Sequence, residues 1–137
     1  MYPEELVSPM RHELTSLGVT EMRTPAEVDD KLNKEGTTFL IINSVCGCAA
    51  GNARPAVRMV MNHQNFPDQF VTVFAGQDTE ATQKAREIIG PYPPSSPSMF
   101  LFKNGQLEFI LPRHQIEGRT PEEIASDIKN AFDTHCR

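Results

Sequence analysis

The chain has no tryptophan, no run of apolar residues near the roughly 20 that a membrane span needs, and no excess of basic residues. Its 13 lysines and arginines are outnumbered by 18 aspartates and glutamates, giving a net charge of −5. No basic stripe is left to follow a phosphate backbone, so nucleic acid is not expected as a partner. The start MYPEELVSPM lacks the charged-then-apolar order of a secretory signal, and a cytoplasmic location with no membrane partner is expected. Cysteine is scarce too. Three thiols cannot pair completely, and without an export signal they point to reactive or metal-binding sulfur rather than to a disulfide framework. There are no internal repeats or low-complexity tails. What is present is 137 residues, enough for one domain with a buried core.

The most informative stretch is TTFLIINSVCGCAAG, residues 37–51. Thr37 to Asn43 is rich in β-branched and aromatic residues and predicts a buried strand, while Ala49 to Asn62 carries Ala, Val and Met at helical spacing. Cys46 and Cys48 therefore fall where a strand hands over to a helix. The first-turn N–H groups there are unpaired and the helix dipole is positive, which lowers a thiol below its free pKa of about 8.5. Cys46 lies nearer the helix start than Cys48 and should be the more acidic of the two. Gly47 eases the bend that a bridge between thiols two residues apart requires, and a strained bridge is the more oxidising kind. Pro55 should bend the helix that follows.

Other elements announce themselves by their punctuation. Residues 3–17 place Leu6, Met10, Leu14 and Leu17 on one helical face, with Pro9 interrupting and Gly18 as a stop. Thr24-Pro25-Ala26-Glu27 and Thr120-Pro121-Glu122-Glu123 both combine an N-cap, a first-turn proline and a carboxylate three positions on. Gln69 to Ala75 alternates as a strand, and Asp78-Thr79 opens a helix that ends at Gly90. Four prolines in residues 91–97 form a rigid loop leading into the strand SMFLFK, and Asn104-Gly105 signals a hairpin back through QLEFIL. The predicted order is α, α, β, α, β, α, β, β, α.

From Thr37 to Cys136 this order resembles a thioredoxin fold. Within that superfamily Cys46-Gly47-Cys48, the start MYPEELVSPMR and the hairpin PSMFLFKNG resemble the bacilliredoxin family, over nearly the whole chain. The resemblance implies an α/β thioredoxin-like domain with a central mixed four-stranded sheet flanked by helices, residues 1–36 forming a helical extension to a 37–136 core. It implies a thiol–disulfide oxidoreductase that removes bacillithiol from S-bacillithiolated cytoplasmic proteins, with Cys46 attacking and taking the adduct and Cys48 as the second redox cysteine. Pro97, after Ser96, matches the superfamily's cis-proline that faces the cysteines and offers backbone to an extended substrate; the local sequence alone favours trans. Bacillithiol would be a co-substrate, with no bound cofactor, and the protein a monomer or weak homodimer. Two features depart from thioredoxins: no tryptophan precedes Cys46, and the strand FLII carries no buried acid for proton transfer.

Around the cysteines, Asn43, Ser44 and Asn52 are candidates to hydrogen-bond a thiolate, although such residues usually cap backbone. Arg54 and Arg58 share a helix face and are candidates to meet a carboxylate-bearing thiol, although such a pair is more often simply solvated. Cys136, one residue from the carboxyl end, is read as a bystander, and His12, His63, His114 and His135 as surface residues. Three alternatives stand beside the main reading. They are a weak disulfide isomerase or general exchanger, a CxC metal binder completed by Cys136 or His135, and a non-catalytic interaction domain on the same scaffold.

Overall fold

The computed structural model describes residues 1–137, in the order α1 (Glu4–Thr15), β1 (Thr20–Glu21), α2 (Pro25–Leu32), β2 (Thr37–Asn43), α3 (Arg54–Val60), β3 (Gln69–Phe74), α4 (Thr79–Ile89), β4 (Ser98–Lys103), β5 (Gln106–Leu111) and α5 (Pro121–His135). The sheet order is β1-β3-β2-β4-β5. β1 and β2 each pair in parallel with β3, and β4 runs antiparallel to both β2 and β5. The sheet thus has five strands where four were expected. β1 is two residues long, too short to carry a period-2 pattern, and exists because it finds the free edge of β3, where the Met22 N–H donates to Thr72 O at 2.9 Å.

β2 is buried at all seven positions because helices cover both faces of the sheet. Phe39 and Ile41 point into a cluster with residues of α1, α3 and α5, whereas Leu40 and Ile42 point into one with residues of α2 and α4. In the first cluster Phe39 meets Phe132 edge-on with centroids 5.2 Å apart, and Phe70 closes the triangle. Two capping boxes, Thr24 with Glu27 and Thr120 with Glu123, start α2 and α5 as their sequences require. The hairpin turn holds Asn104 and Gly105 at φ of 51° and 77°, the left-handed pair that joins β4 tightly to β5.

Residues 1–36 contribute α1, β1 and α2. α1 buries Val7, Arg11 and Leu14; Leu6, expected on its inner face, is exposed. The substitute is Arg11, whose guanidinium is 6% exposed and holds Asp78 through two bonds of 2.6 and 3.0 Å, Glu21 at 3.1 Å and Glu4 at 2.8 Å. It also lies over the Phe74 ring, 5.3 Å from the centroid. α1 is thereby fastened to β1 and to the start of α4.

The helix after the cysteines is not uniform. Residues 49–53 form a π-helical turn, closed by the Arg54 N–H on Ala49 O, before regular α3 begins. Pro55, at the start of α3, has no N–H to donate, and its ring would crowd the carbonyl four residues back. The expected bend is therefore expressed as a wider turn directly after Cys48.

Candidate active site

After Asn43 the chain leaves the sheet and turns within two residues, and Cys46 becomes the cap of the following helix. Its carbonyl accepts the N–H groups of Ala49 at 3.0 Å and Ala50 at 3.2 Å. Its own N–H donates to Ser44 Oγ at 3.3 Å. Beneath this turn Arg54, 3% exposed, donates through Nη1 to Asn43 Oδ1 and to Ser44 O, both at 2.9 Å. Asn43 Oδ1 also accepts the Ser44 N–H at 2.9 Å, and its amide donates to Met10 O at 3.2 Å. Arg54 Nε lies 3.2 Å from Glu13 Oε1, but its proton is not aligned on that oxygen, so this contact is a charge pair rather than a hydrogen bond. The helical spacing placed Arg54 on a face of the cysteine helix, and that face is the inner one. Arg54 braces the turn and is not available to an incoming thiol; Arg58, one turn on, is exposed. Asn52 donates to Arg119 O and ties the π turn to the segment before α5. Asn43 and Asn52 thus hydrogen-bond to the scaffold, and Ser44 reaches the Cys46 backbone rather than its sulfur.

Cys46 and Cys48 are both free thiols and half-buried, with Gly47 exposed between them. A Cβ on Gly47 would meet no protein atom, so the missing side chain leaves open the space outside the pair. The Cys48 N–H donates to Cys46 Sγ at 3.3 Å. Burial pushes Cys46 upward. Against it act the Cys48 thiol, the N–H groups of Cys48 and Ala49, and the charge of Arg113, which together bring Cys46 below the ordinary thiol value. Burial pushes Cys48 upward as well, and the bond to Cys46 and the negative charge on that sulfur hold it there. The two sulfurs differ in the expected direction.

The residue that the sequence did not disclose is Arg113. It follows β5 in a 3-10 turn, Arg113–Gln115. Its N–H donates to Ser95 Oγ at 3.3 Å and its Nη1 to Ser96 O at 3.3 Å. Its charge acts to lower both thiols, and the pairing of Ser98 with Ile42 sets the Ser96-Pro97 loop at the end of β2 where the cysteine turn begins. The Ser96-Pro97 bond is cis. Nothing in the string PRH marks Arg113; only the return of β5 beside the proline loop puts it there.

Cys136 is elsewhere. Its thiol lies near Thr37, at the opposite end of β2 from the cysteine turn, about 20 Å away at ~3.3 Å per strand residue. Neither Cys136 nor its neighbour His135 can complete a ligand set with Cys46 and Cys48, and no group of three or more His, Cys, Asp or Glu side chains is placed to hold a metal ion. His63 pairs with Asp133 at 2.7 Å. No helix is long and apolar enough to cross a membrane.

A CxC pair with one acidified, accessible sulfur, set where the first long parallel strand meets a helix and at the end of the sheet where an X-Pro loop enters β4, defines a thioredoxin-fold thiol–disulfide oxidoreductase. Solved structures agree on the fold. A thioredoxin of Malassezia sympodialis superposes with a TM-score of 0.61 over 87% of this chain and 91% of its own, at 16% identity. Oxidised thioredoxin of Plasmodium falciparum does so at 0.57 over 87% and 99%, with 18% identity. A family model described as "Disulphide isomerase" matches residues 2–136. Among named relatives, a bacilliredoxin of Cytophaga hutchinsonii is 52% identical over 97% of this chain and 98% of its own length, and one of Bacillus licheniformis 53% over 98% and 95%. The chain belongs to the bacilliredoxin family.

Proposed function

We propose that this oxidoreductase releases bacillithiol from S-bacillithiolated cytoplasmic proteins. The observation that carries the reading is the inequality of the two sulfurs: the Cys48 N–H and thiol both serve Cys46, so one sulfur is ready to attack while the other keeps its proton. The Cys46 thiolate attacks the bacillithiol sulfur of a client's mixed disulfide, and the client thiolate leaves. A Cys46–bacillithiol disulfide remains. Cys48 then loses its proton, attacks Cys46 Sγ and expels bacillithiol as thiolate, leaving a Cys46–Cys48 disulfide. Two equivalents of a low-molecular-weight thiol then restore the pair: the first opens the bridge as a mixed disulfide, and the second displaces it as the oxidised small-thiol disulfide. Bacillithiol is accordingly co-substrate rather than bound cofactor, and the clients are thiol-modified proteins. An apolar pocket of about 270 Å³, lined by Pro93, Pro94, Ser95 and Pro112 among others, adjoins the same loop and offers a client side chain a place.

Intact mass after exposure of the reduced protein to bacillithiol disulfide tests this. Cys48→Ser should accumulate one bacillithiol on Cys46, the wild type should pass on to a species two hydrogens lighter than reduced protein, and Cys46→Ser should take up little. Cys136→Ser should match the wild type, since its sulfur lies a strand's length away. A stable adduct on Cys136, or none on Cys46, would refute the scheme. The description of the matching family model favours disulfide isomerisation as a second reading. Reshuffling of a scrambled-disulfide protein at a rate comparable with bacillithiol release would establish it.

A further inference from the structure

We propose that Arg113 anchors the carboxylate of the incoming small thiol, with Glu117 as its built-in competitor. This rests on the exchange reading above and names the class of thiol that the site prefers. The backbone N–H of Arg113 on Ser95 Oγ and its Nη1 on Ser96 O hold backbone and guanidinium to the loop that enters β4 beside the end of β2, where the cysteine turn begins. Its Nε donates to Glu117 Oε2 at 2.8 Å. Nη2 has no hydrogen-bond partner in the protein, and the side chain is 44% exposed, so donors of the guanidinium are left open to a ligand. A planar fork of this kind takes a carboxylate in preference to a neutral group.

Charge sharpens the case. In a chain of net charge −5, the Arg113 cation favours the thiolate at both cysteines, while the Glu117 carboxylate opposes it at Cys48. An anionic thiol nearing Cys46 therefore meets one attractive and one repulsive side chain. The Arg113–Glu117 contact is an i,i+4 pair on the surface, with Glu117 61% exposed, weakened by water and salt and open to exchange for a ligand carboxylate.

The test is the release of one client peptide from three mixed disulfides, with bacillithiol, with glutathione and with 2-mercaptoethanol, by wild type, Arg113→Gln, Arg113→Lys and Glu117→Gln. The first two small thiols carry carboxylates and the third is neutral. Arg113→Gln slows all three because Cys46 loses a cation, but kcat/KM for the carboxylate-bearing thiols should fall about tenfold further. Arg113→Lys should recover part of that preference, and Glu117→Gln should raise it two- to threefold (~0.5 kcal/mol of differential binding). Whichever anionic thiol shows the larger preference identifies the source of the carboxylate. Equal losses on all three in Arg113→Gln would overturn the anchor while leaving exchange intact. Turnover of none by the wild type would overturn the exchange reading and the anchor with it.

Discussion

Cys46→Ser should lower the rate of bacillithiol release at least ~10³-fold, about 4 kcal/mol of barrier, with the fold unchanged. A hydroxyl cannot form the mixed disulfide, and the sulfur that remains is the wrong one. Cys48 is held above the ordinary thiol value by burial and, in the native pair, by its neighbour, so at neutral pH little of it is thiolate. Cys48→Ser should behave differently. It removes one donor from Cys46 but leaves the Cys48 position's N–H, the Ala49 N–H and Arg113, so the first transfer should continue while intramolecular release stops. The pH dependence follows from the sign of the shift. Because Cys46 is displaced downward, its thiolate is populated at lower pH than that of a free cysteine, and the transfer rate should rise through that depressed pKa and then level off. A peptide-based release assay across pH separates these outcomes. Equal residual activity in the two single variants would show that the sulfurs are interchangeable.

Arg11→Ala should cost about 3–5 kcal/mol of stability, measured by urea unfolding at neutral pH, which is among the larger effects a single substitution produces. The guanidinium is the shared partner of three carboxylates, two of them largely buried, with Asp78 and Glu21 at 12% and 19% exposed. Its removal leaves these charges facing one another under α1 with no cation between them. Arg11→Lys should recover only part of the loss, since an ammonium cannot make the two-point bond to Asp78. Arg23→Ala is the contrasting case. Arg23 also bonds Glu21, at 2.6 Å, but is 52% exposed and should cost less than about 1 kcal/mol. The gap between wild type and Arg11→Ala should narrow in acid. Glu4 is held below the usual carboxylate range by hydrogen bonds from Arg11 and Gln77, so its contribution is present at neutral pH and lost as pH falls through that lowered value. A variant within 1 kcal/mol of wild type would mean that α1 is held by its apolar contacts alone.

The parts of the molecule legible in the sequence are those fixed by neighbours in the chain. Thr24 with Glu27, Thr120 with Glu123, and Asn104 with Gly105 specify their own local geometry, and TTFLIIN could only be a strand covered on both faces. The cysteine turn was legible for the same reason, because a strand end, a glycine and a helix start lie within a few residues. What was not legible depends on segments distant in the chain. β1 needs the edge of β3, and Arg113 needs the return of β5 beside Ser96. Arg54 shows the limit of helical spacing, which says which residues share a face but not whether the face looks inward. Arg11 shows a related limit: a charged residue on the buried side of an amphipathic helix reads as solvated until Asp78, 67 positions away, is placed against it. Pro55 predicts a disturbed helix, and the particular form that the disturbance takes, a π turn at residues 49–53, depends on the packing around it.

The ordering of the two thiols is tested most directly by reacting the reduced wild-type protein near neutral pH with less than one equivalent of iodoacetamide and mapping the labelled peptide. Label should fall on Cys46, with Cys48 and Cys136 almost unmodified. Preferential labelling of Cys48, or equal labelling of Cys46 and Cys48, would contradict a Cys46 thiolate held by the helix start and Arg113.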